Sequence, residues 1–478
     1  GGTFTMARSS PIITFNPLNQ QAGHYAYVRS IYETLIRYDR NLKPLPMLAE
    51  KWDFSADFKQ MTLKLRQGVK FHSGREFTSA DVKTTWEFAS TDPSAILRSL
   101  YQTVTGVETP DKYTVVLQFA GVNTPVFDAL DVMHIIDKET MKDFAKTAVG
   151  TGPFILDKYV PSDRVEMVPF KDYWDKTKPS VDRYIVRDIP DPAALAINLE
   201  SGAVDCIWQP NYIDLVRFKE LGGKYVIDLG APGAAVYQIM MNCKQPPFDN
   251  KKVRQAISWS IDRARFCKTI LQGLAEPTCL IWPKHSWAYF PDLEGKIGFD
   301  LDKAKALLKE AGLEKGFDTE LITAPKTAFG SRELAQIIQA DLKKINVNVK
   351  ITEVEQAQYA TQVQQKREYQ MATQNYGRSN RDPGSVFTGA RSFVNDKGGG
   401  FARIDSAEYD RLVVELNSTL DQEKRKATAR KLQELMLDEC FVNPVAPQNR
   451  AWAYASYVKG FNYDMDNQPF IGEVWLDK

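Results

Sequence analysis

Residues 300–351 read DLDKAKALLKEAGLEKGFDTELITAPKTAFGSRELAQIIQADLKKINVNVKI. Two periodicities alternate along this stretch. Leu301, Ala304, Leu307, Leu308 and Ala311 recur at three- and four-residue spacing, the one-sided stripe of an amphipathic helix. Asp300 stands where an N-cap is needed and Gly312 where a helix stops. Residues 319–323 then read as a strand. Leu334, Ile337, Ile338 and Leu342 make a second helical stripe, and Val347, Val349 and Ile351 alternate with polar residues directly after it. Helix, strand, helix and strand in so short a span predict βαβ units and a sheet with parallel strands, so the fold class is α/β.

Working outward, the uncharged run 236–241 predicts a buried strand, and Asp249 or Asn250 is placed to cap a long helix that ends at Gly273. Residues 406–438 are highly charged with helical period and predict two surface helices. Toward the N-terminus, 3–6 reads as a first strand, and Asn16-Pro17 as a loop before a helix-like stretch over 24–37. Met61, Leu63 and Leu65 alternate with Thr62 and Lys64, a strand signature. Thr78 with Asp81 three residues on makes an N-cap with an acidic N3 position, opening a helix to about residue 88. Strands are expected over 113–119, 163–168 and 183–188. A helix over 192–200 is stopped by Gly202.

Composition excludes several function classes. The chain has 478 residues, which by length alone suggests roughly three folding units. It is 43% hydrophobic and 25% charged, the mix of a globular protein that buries a large core. Lys+Arg number 61 against 60 for Asp+Glu, so the basic excess of a nucleic-acid binder is absent. No run of 18 apolar residues exists to span a membrane. Cys206, Cys243, Cys267, Cys279 and Cys440 form no C-x-x-C pair, which argues against zinc or a redox couple; the odd count leaves at least one thiol unpaired, with one or two disulfides left open. His24, His72, His134 and His285 are scattered and read as ordinary surface or hydrogen-bonded histidines. The opening Gly1-Gly2-Thr3 reads as a mature end, any signal peptide already removed.

Catalytic signatures do not emerge. A G-x-S-x-G elbow, a Walker A loop and a G-x-G-x-x-G fingerprint are missing. Gly150-Thr151-Gly152 leads into Pro153-Phe154-Ile155, which reads as a strand, whereas phosphate cradles lead into helices. No pair of carboxylates stands out for sugar hydrolysis. The chain is therefore read as a non-enzyme that needs no cofactor and no metal.

Several blocks together resemble the peptide/nickel/opine branch of the solute-binding proteins of ABC importers, extracellular solute-binding protein family 5. The first runs from Leu48-Ala49-Glu50-Lys51-Trp52 through Lys64 to Gly74, with Arg66, Gly68, Val69 and Phe71 in family register, to Phe77-Thr78-Ser79-Ala80-Asp81-Val82. Gly150 to Phe154 matches a second block and Leu199 to Asp205 a third. Asn242, Pro247, Asp249 and Val253 to Ile257 match a fourth, and Ala304 to Leu308 with Ala311-Gly312 a fifth. The blocks fall in family order across most of the chain.

The resemblance implies a two-lobed periplasmic binding protein fold, type II in a large variant with an extra subdomain, the lobes joined by two crossover strands. Lobe I would be 1–235 plus 447–478, with the extra subdomain at about 40–170, and lobe II would be 236–446. It implies an extracytoplasmic, periplasmic receptor, a monomer, that captures a small-molecule ligand between its lobes and delivers it to ABC permease transmembrane subunits. Lipid anchoring is left open. The ligand's contacts in the closed form would shift the hinge equilibrium.

The resemblance also places the ligand site. Peptide-binding relatives carry a Trp, an ammonium-binding Asp three residues later, and Asp-Pro three residues further on. Here Tyr376 stands at the Trp position, Ser379 at the ammonium position, and Asp382-Pro383 is kept, with Arg378 and Arg381 flanking Ser379. A hydroxyl between two guanidinium groups suits a carboxylate or phosphate better than a cation. Lys326 or Arg332 is the counterpart of a carboxylate-binding Arg after the 319–323 strand. Arg8, Ser10 and Asn16 border the cleft after the first strand, and Trp208 and Trp282 are further aromatic candidates. The expected cargo is opine-like, an amino-acid conjugate or another carboxylate. Alternatives are a di- or oligopeptide, a nickel chelate, or, from another class, a secreted hydrolase of acidic sugars; a chemosensory receptor is a further reading.

Overall fold

The computed structural model describes the chain except for Pro11, Ile13, 20–25, Arg40, 142–143, 145–146 and 326–328. It forms two compact units, not three. The first comprises Gly1–Ala231 and Arg450–Lys478, the second Pro232–Asn449. Among the described residues no helix is long and apolar enough to cross a membrane.

The first unit is built on a seven-stranded sheet. Its order is Tyr225–Asp228, Trp452–Ala455, Cys206–Trp208, Thr3–Arg8, Arg183–Asp188, Arg164–Pro169 and Phe154–Val160. The N-terminal strand lies inside this sheet, parallel to both Arg183–Asp188 and Cys206–Trp208. A strand flanked on both sides satisfies its backbone on both edges, and Phe4, Met6, Ala7 and Arg8 of this one are all inaccessible. Between strands of this sheet the chain makes a four-stranded antiparallel sheet, ordered Ala49–Phe54, Gln60–Leu65, Thr114–Gln118 and Gly106–Asp111. It has its own hydrophobic cluster around Leu63, Phe71, Phe77, Trp86 and Leu117, separate from the cluster around Phe4, Tyr184, Trp208 and Trp452.

The predicted cap at Thr78 is present. Thr78 has extended backbone, and the Asp81 carboxylate accepts its backbone N–H at 2.9 Å, opening the helix Ser79–Thr91. The helix expected over 24–37 is cut to Val28–Ile31, and a strand, Ile36–Tyr38, takes over; His24 lies outside the described residues. Charged side chains there turn inward instead of keeping a solvent face. Arg29 is buried against Asp131 and Asp464, and Glu33 against Tyr173 and Trp174.

The second unit holds a five-stranded mixed sheet, ordered Val347–Glu353, Phe317–Thr323, Met371–Gly377, Ala235–Met241 and Val442–Pro447. Phe317–Thr323 runs parallel to both of its neighbours, and Ser331–Lys343 is the helix that crosses between the first two strands. This is the βαβ unit expected from 300–351. All seven residues of Ala235–Met241 are buried, as its uncharged sequence demands. The helix expected to run to Gly273 is two helices, Lys251–Trp259 and Arg263–Thr269. Asp262 starts a fresh helix by accepting from the Arg265 N–H at 2.9 Å. The buried Arg263 guanidinium donates to the Pro444 carbonyl at 2.8 Å, which pulls the chain out of a single axis. The charged segment forms two helices, Ala407–Ser418 and Gln422–Glu439. All five cysteines are free thiols.

Candidate functional site

In the second unit, six of the residues singled out above gather where the Met371–Gly377 strand ends. The strand pairs with Ala235–Met241, Tyr376 opposite Val236 and Gly377 opposite Ala235. Beyond it Arg378 takes a left-handed conformation, φ 69°, and the chain turns sharply. The Ser379 hydroxyl donates to the Gly233 carbonyl at 2.8 Å. Gly233 has no room for a side chain there, since a Cβ would lie 2.9 Å from Ser379 Oγ and from Pro283 Cγ. Gly389 is equally constrained: a Cβ would fall 2.4 Å from Arg378 Cδ, so glycine lets the Arg378 stem lie across the helix Ser385–Gly389. Arg378, Ser379 and Arg381 are all buried.

The neighbours of this turn are held by internal bonds. Tyr376 donates its hydroxyl to the Ile281 carbonyl at 3.1 Å and packs edge-on against Phe393, with ring centroids 4.8 Å apart. Trp282 Nε1 donates to the Pro383 carbonyl at 3.2 Å, and its ring meets Phe387 edge-on. Asp382 receives Arg425 Nη2 on both oxygens, at 2.7 and 2.8 Å, and the Gly384 N–H at 3.0 Å. Arg332 is turned to the surface and paired through two hydrogen bonds with Glu353. Lys326 lies outside the described residues.

In the first unit, strand register brings Arg8 and Trp208 to the carboxyl ends of two adjacent parallel strands, Ala7 standing opposite Ile207. Such strand ends are where α/β sheets place their sites. Arg8 is fully buried, donates to the Ser10 carbonyl and lies 3.5 Å from Asp188. Burial lowers the Arg8 guanidinium pKa and raises that of the Asp188 carboxyl, with Arg8 pulling the latter back down. Trp208 packs on Trp452, ring centroids 5.7 Å apart. Asn16 is engaged elsewhere: it caps its own turn through the Leu18 N–H and donates to Ser94 Oγ at 3.0 Å. Sequence reading missed Asp188, Gly233 and Gly389. Only the pairing of Arg8 with Asp188 in register could have disclosed the first.

Residues 43–397 match the model of the bacterial extracellular solute-binding proteins, family 5, middle region. The chain belongs to that family. Its fold is the α/β, two-lobed periplasmic binding protein fold. This solute-binding protein is 28% identical to the dipeptide-binding protein of Escherichia coli, over 94% of this chain and 90% of that one. It is 30% identical to the glutathione-binding protein GsiB of Shigella boydii, over 71% of this chain and 67% of that one. Among solved structures it is similar to the ABC transporter-associated periplasmic binding protein DppA of Helicobacter pylori in complex with the peptide STSA. The TM-score is 0.86 at 26% identity, covering 100% of this chain and 98% of that one. The family consists of solute-binding proteins that work with ABC permeases.

Proposed function

We propose that this solute-binding protein takes a small organic solute bearing an acidic group through Arg378 and Arg381, and hands it, as a monomer outside the cytoplasmic membrane, to the transmembrane subunits of an ABC import permease. Opine-like compounds, amino-acid conjugates and other carboxylates form the expected class. The observation that carries the reading is the state of position 379. Where an ammonium-binding carboxylate would stand there is a hydroxyl already donated to the Gly233 carbonyl, between two arginines. A guanidinium holds a carboxylate through two parallel N–H bonds and repels an ammonium. Transport needs only that bound solute favour the conformer the permease reads, by its difference in contacts between conformers.

A peptide cargo is the second reading, favoured by the named cargo of the E. coli and H. pylori relatives. It requires a carboxylate for the peptide ammonium, and Asp382 is occupied on both oxygens by Arg425.

A thermal-shift screen separates the two. Di- and oligopeptides, opine-type conjugates, aromatic or sugar acids, and nickel chelates are each added to the full chain. A solute at 100 times its Kd stabilises the folded state by about 2.7 kcal/mol. Shifts confined to acid-bearing non-peptides, with affinity reduced at least tenfold in Arg378→Ala and Arg381→Ala, support the proposal. Shifts with free-amino peptides alone overturn it in favour of the peptide reading.

A further inference from the structure

The first unit contains a cavity of about 220 Å³ that includes none of the solute-binding residues named above. Tyr32, Tyr173, Trp174 and Phe470 contribute aromatic wall, and Glu33 lines it while only 2% exposed. The Glu33 carboxylate accepts from Tyr173 Oη at 2.8 Å, Trp174 Nε1 at 3.0 Å and Thr151 Oγ1 at 2.8 Å. All three donors are neutral. Among the described residues no Lys, Arg or His nitrogen comes within 4 Å of it. Buried carboxylates normally sit against a counter-charge.

The cations that line the cavity are committed elsewhere. Arg29 is paired with Asp131 and Asp464. Arg37 and Lys178 share Glu473, and Lys178 also faces Asp175. Arg66, outside the lining, stands 4.1 Å from the Trp174 ring centroid and is paired with Glu50. The lining itself holds three cations, Arg29, Arg37 and Lys178, and three carboxylates, Glu33, Asp175 and Glu473; Asp131 and Asp464 behind the wall both pair with Arg29, so the carboxylate left without a counter-charge is Glu33, and it favours a positive guest. The rings already serve cations, with Arg29 and Arg37 at 5.2 and 5.1 Å from the Phe470 centroid. Aromatic wall with a carboxylate is the chemistry that recognises alkylated ammonium groups, which need no directed hydrogen bond from the host. A bare metal ion fits poorly, because among the described residues no three ligating side chains converge.

We propose that the cavity beside Glu33 binds a small organic ammonium cation, of tetramethylammonium or choline size, at a site separate from the solute site. Burial, opposed by the three donors and by Arg66, raises the Glu33 carboxyl to about 7. An entering cation therefore displaces a proton, and its affinity rises about tenfold between pH 6 and pH 8 as the carboxylate forms.

Isothermal titration of the full chain with tetramethylammonium or choline chloride tests this, against sodium chloride at equal ionic strength and the neutral choline isostere 3,3-dimethylbutan-1-ol. Both ammonium ions should bind, the isostere should not, and at pH 6.5 buffers of different ionisation enthalpy should report proton release. Glu33→Gln should weaken binding at least tenfold. Met47→Trp, which fills the cavity from its rim and leaves Glu33 in place, should do the same, so the test stands if the first variant fails to fold. Arg378→Ala should leave ammonium binding unchanged, which separates this site from the solute site. Heats no larger than those of sodium chloride, or a pH-independent affinity, or binding unaltered in Met47→Trp, overturns the proposal.

Discussion

Replacing Glu33 by glutamine changes how the stability of the chain depends on pH, by an amount the structure sets. The ordinary carboxyl value is 4.5; in the folded chain burial raises it to about 7, even with Tyr173, Thr151 and Trp174 donating to it. Between those values the folded state holds a proton that the unfolded state has released. Stability from this group is therefore complete below pH 4.5 and is lost as pH climbs through 7. Two and a half powers of ten at about 1.4 kcal/mol each make the loss about 3 kcal/mol. Glutamine has no proton to lose, so Glu33→Gln should gain on the wild type by about that amount between pH 4.5 and pH 8, whatever its cost at low pH. Titrations common to both proteins cancel in the difference. Urea unfolding followed by tryptophan emission at pH 4.5, 6, 7 and 8 reads it directly. A flat difference would refute the reasoning. A wild type that gains on the variant with rising pH would show the donors outweighing burial.

Three further outcomes are expected. Gly312→Ala, at φ 72° with nothing within 4 Å of the new Cβ, should cost about 1 kcal/mol for its left-handed backbone, whereas Gly316→Ala places Cβ 1.8 Å from the Asn346 carbonyl oxygen and should cost at least about 3 kcal/mol; denaturant midpoints compare them. Arg425→Ala leaves the largely buried Asp382 without a cation and should cost about 3 kcal/mol while weakening solute binding through the loosened 378–383 turn, which melting and the solute titration report together. Thiol titration without reductant should find five reactive cysteines after unfolding and slow reaction in the native chain, where burial pushes Cys267 and Cys440 up to about 12 and Cys243 to about 11; fewer than five would reveal a disulfide.

Legibility followed the range of the interaction. The βαβ unit over 300–351 and the Thr78–Asp81 cap are local, so periodicity and spacing exposed them. The break at 260–262 was hidden because the apolar stripe runs on through it, and its cause, Arg263 reaching Pro444, spans 181 residues. Residues 24–37 misled for the same reason: the stretch reads as helix, but Arg29 and Glu33 are held inside by Asp464 and Tyr173, far along the chain. The site was read in part. The 376–383 segment was identifiable only through the resemblance to peptide-binding relatives, and the structure gathers it into one turn. That Ser379 is spent on Gly233, Tyr376 on Ile281 and Asp382 on Arg425 depends on partners 146, 95 and 43 residues away.

The strand Trp452–Ala455 lies between Tyr225–Asp228 and Cys206–Trp208 in the first unit's sheet. On a ribosome this order has a cost in time. The second unit is a single uninterrupted segment, complete once Asn449 has emerged, while the first unit, begun far earlier, still lacks the strand that joins its outermost neighbour to the rest. Until then the nascent chain presents the open backbone edge of Cys206–Trp208, with Trp208 missing the ring it stacks on. A chain truncated after residue 449 and released would thus carry a finished insert inside an unfinished host, with that edge exposed for a holding chaperone to grip.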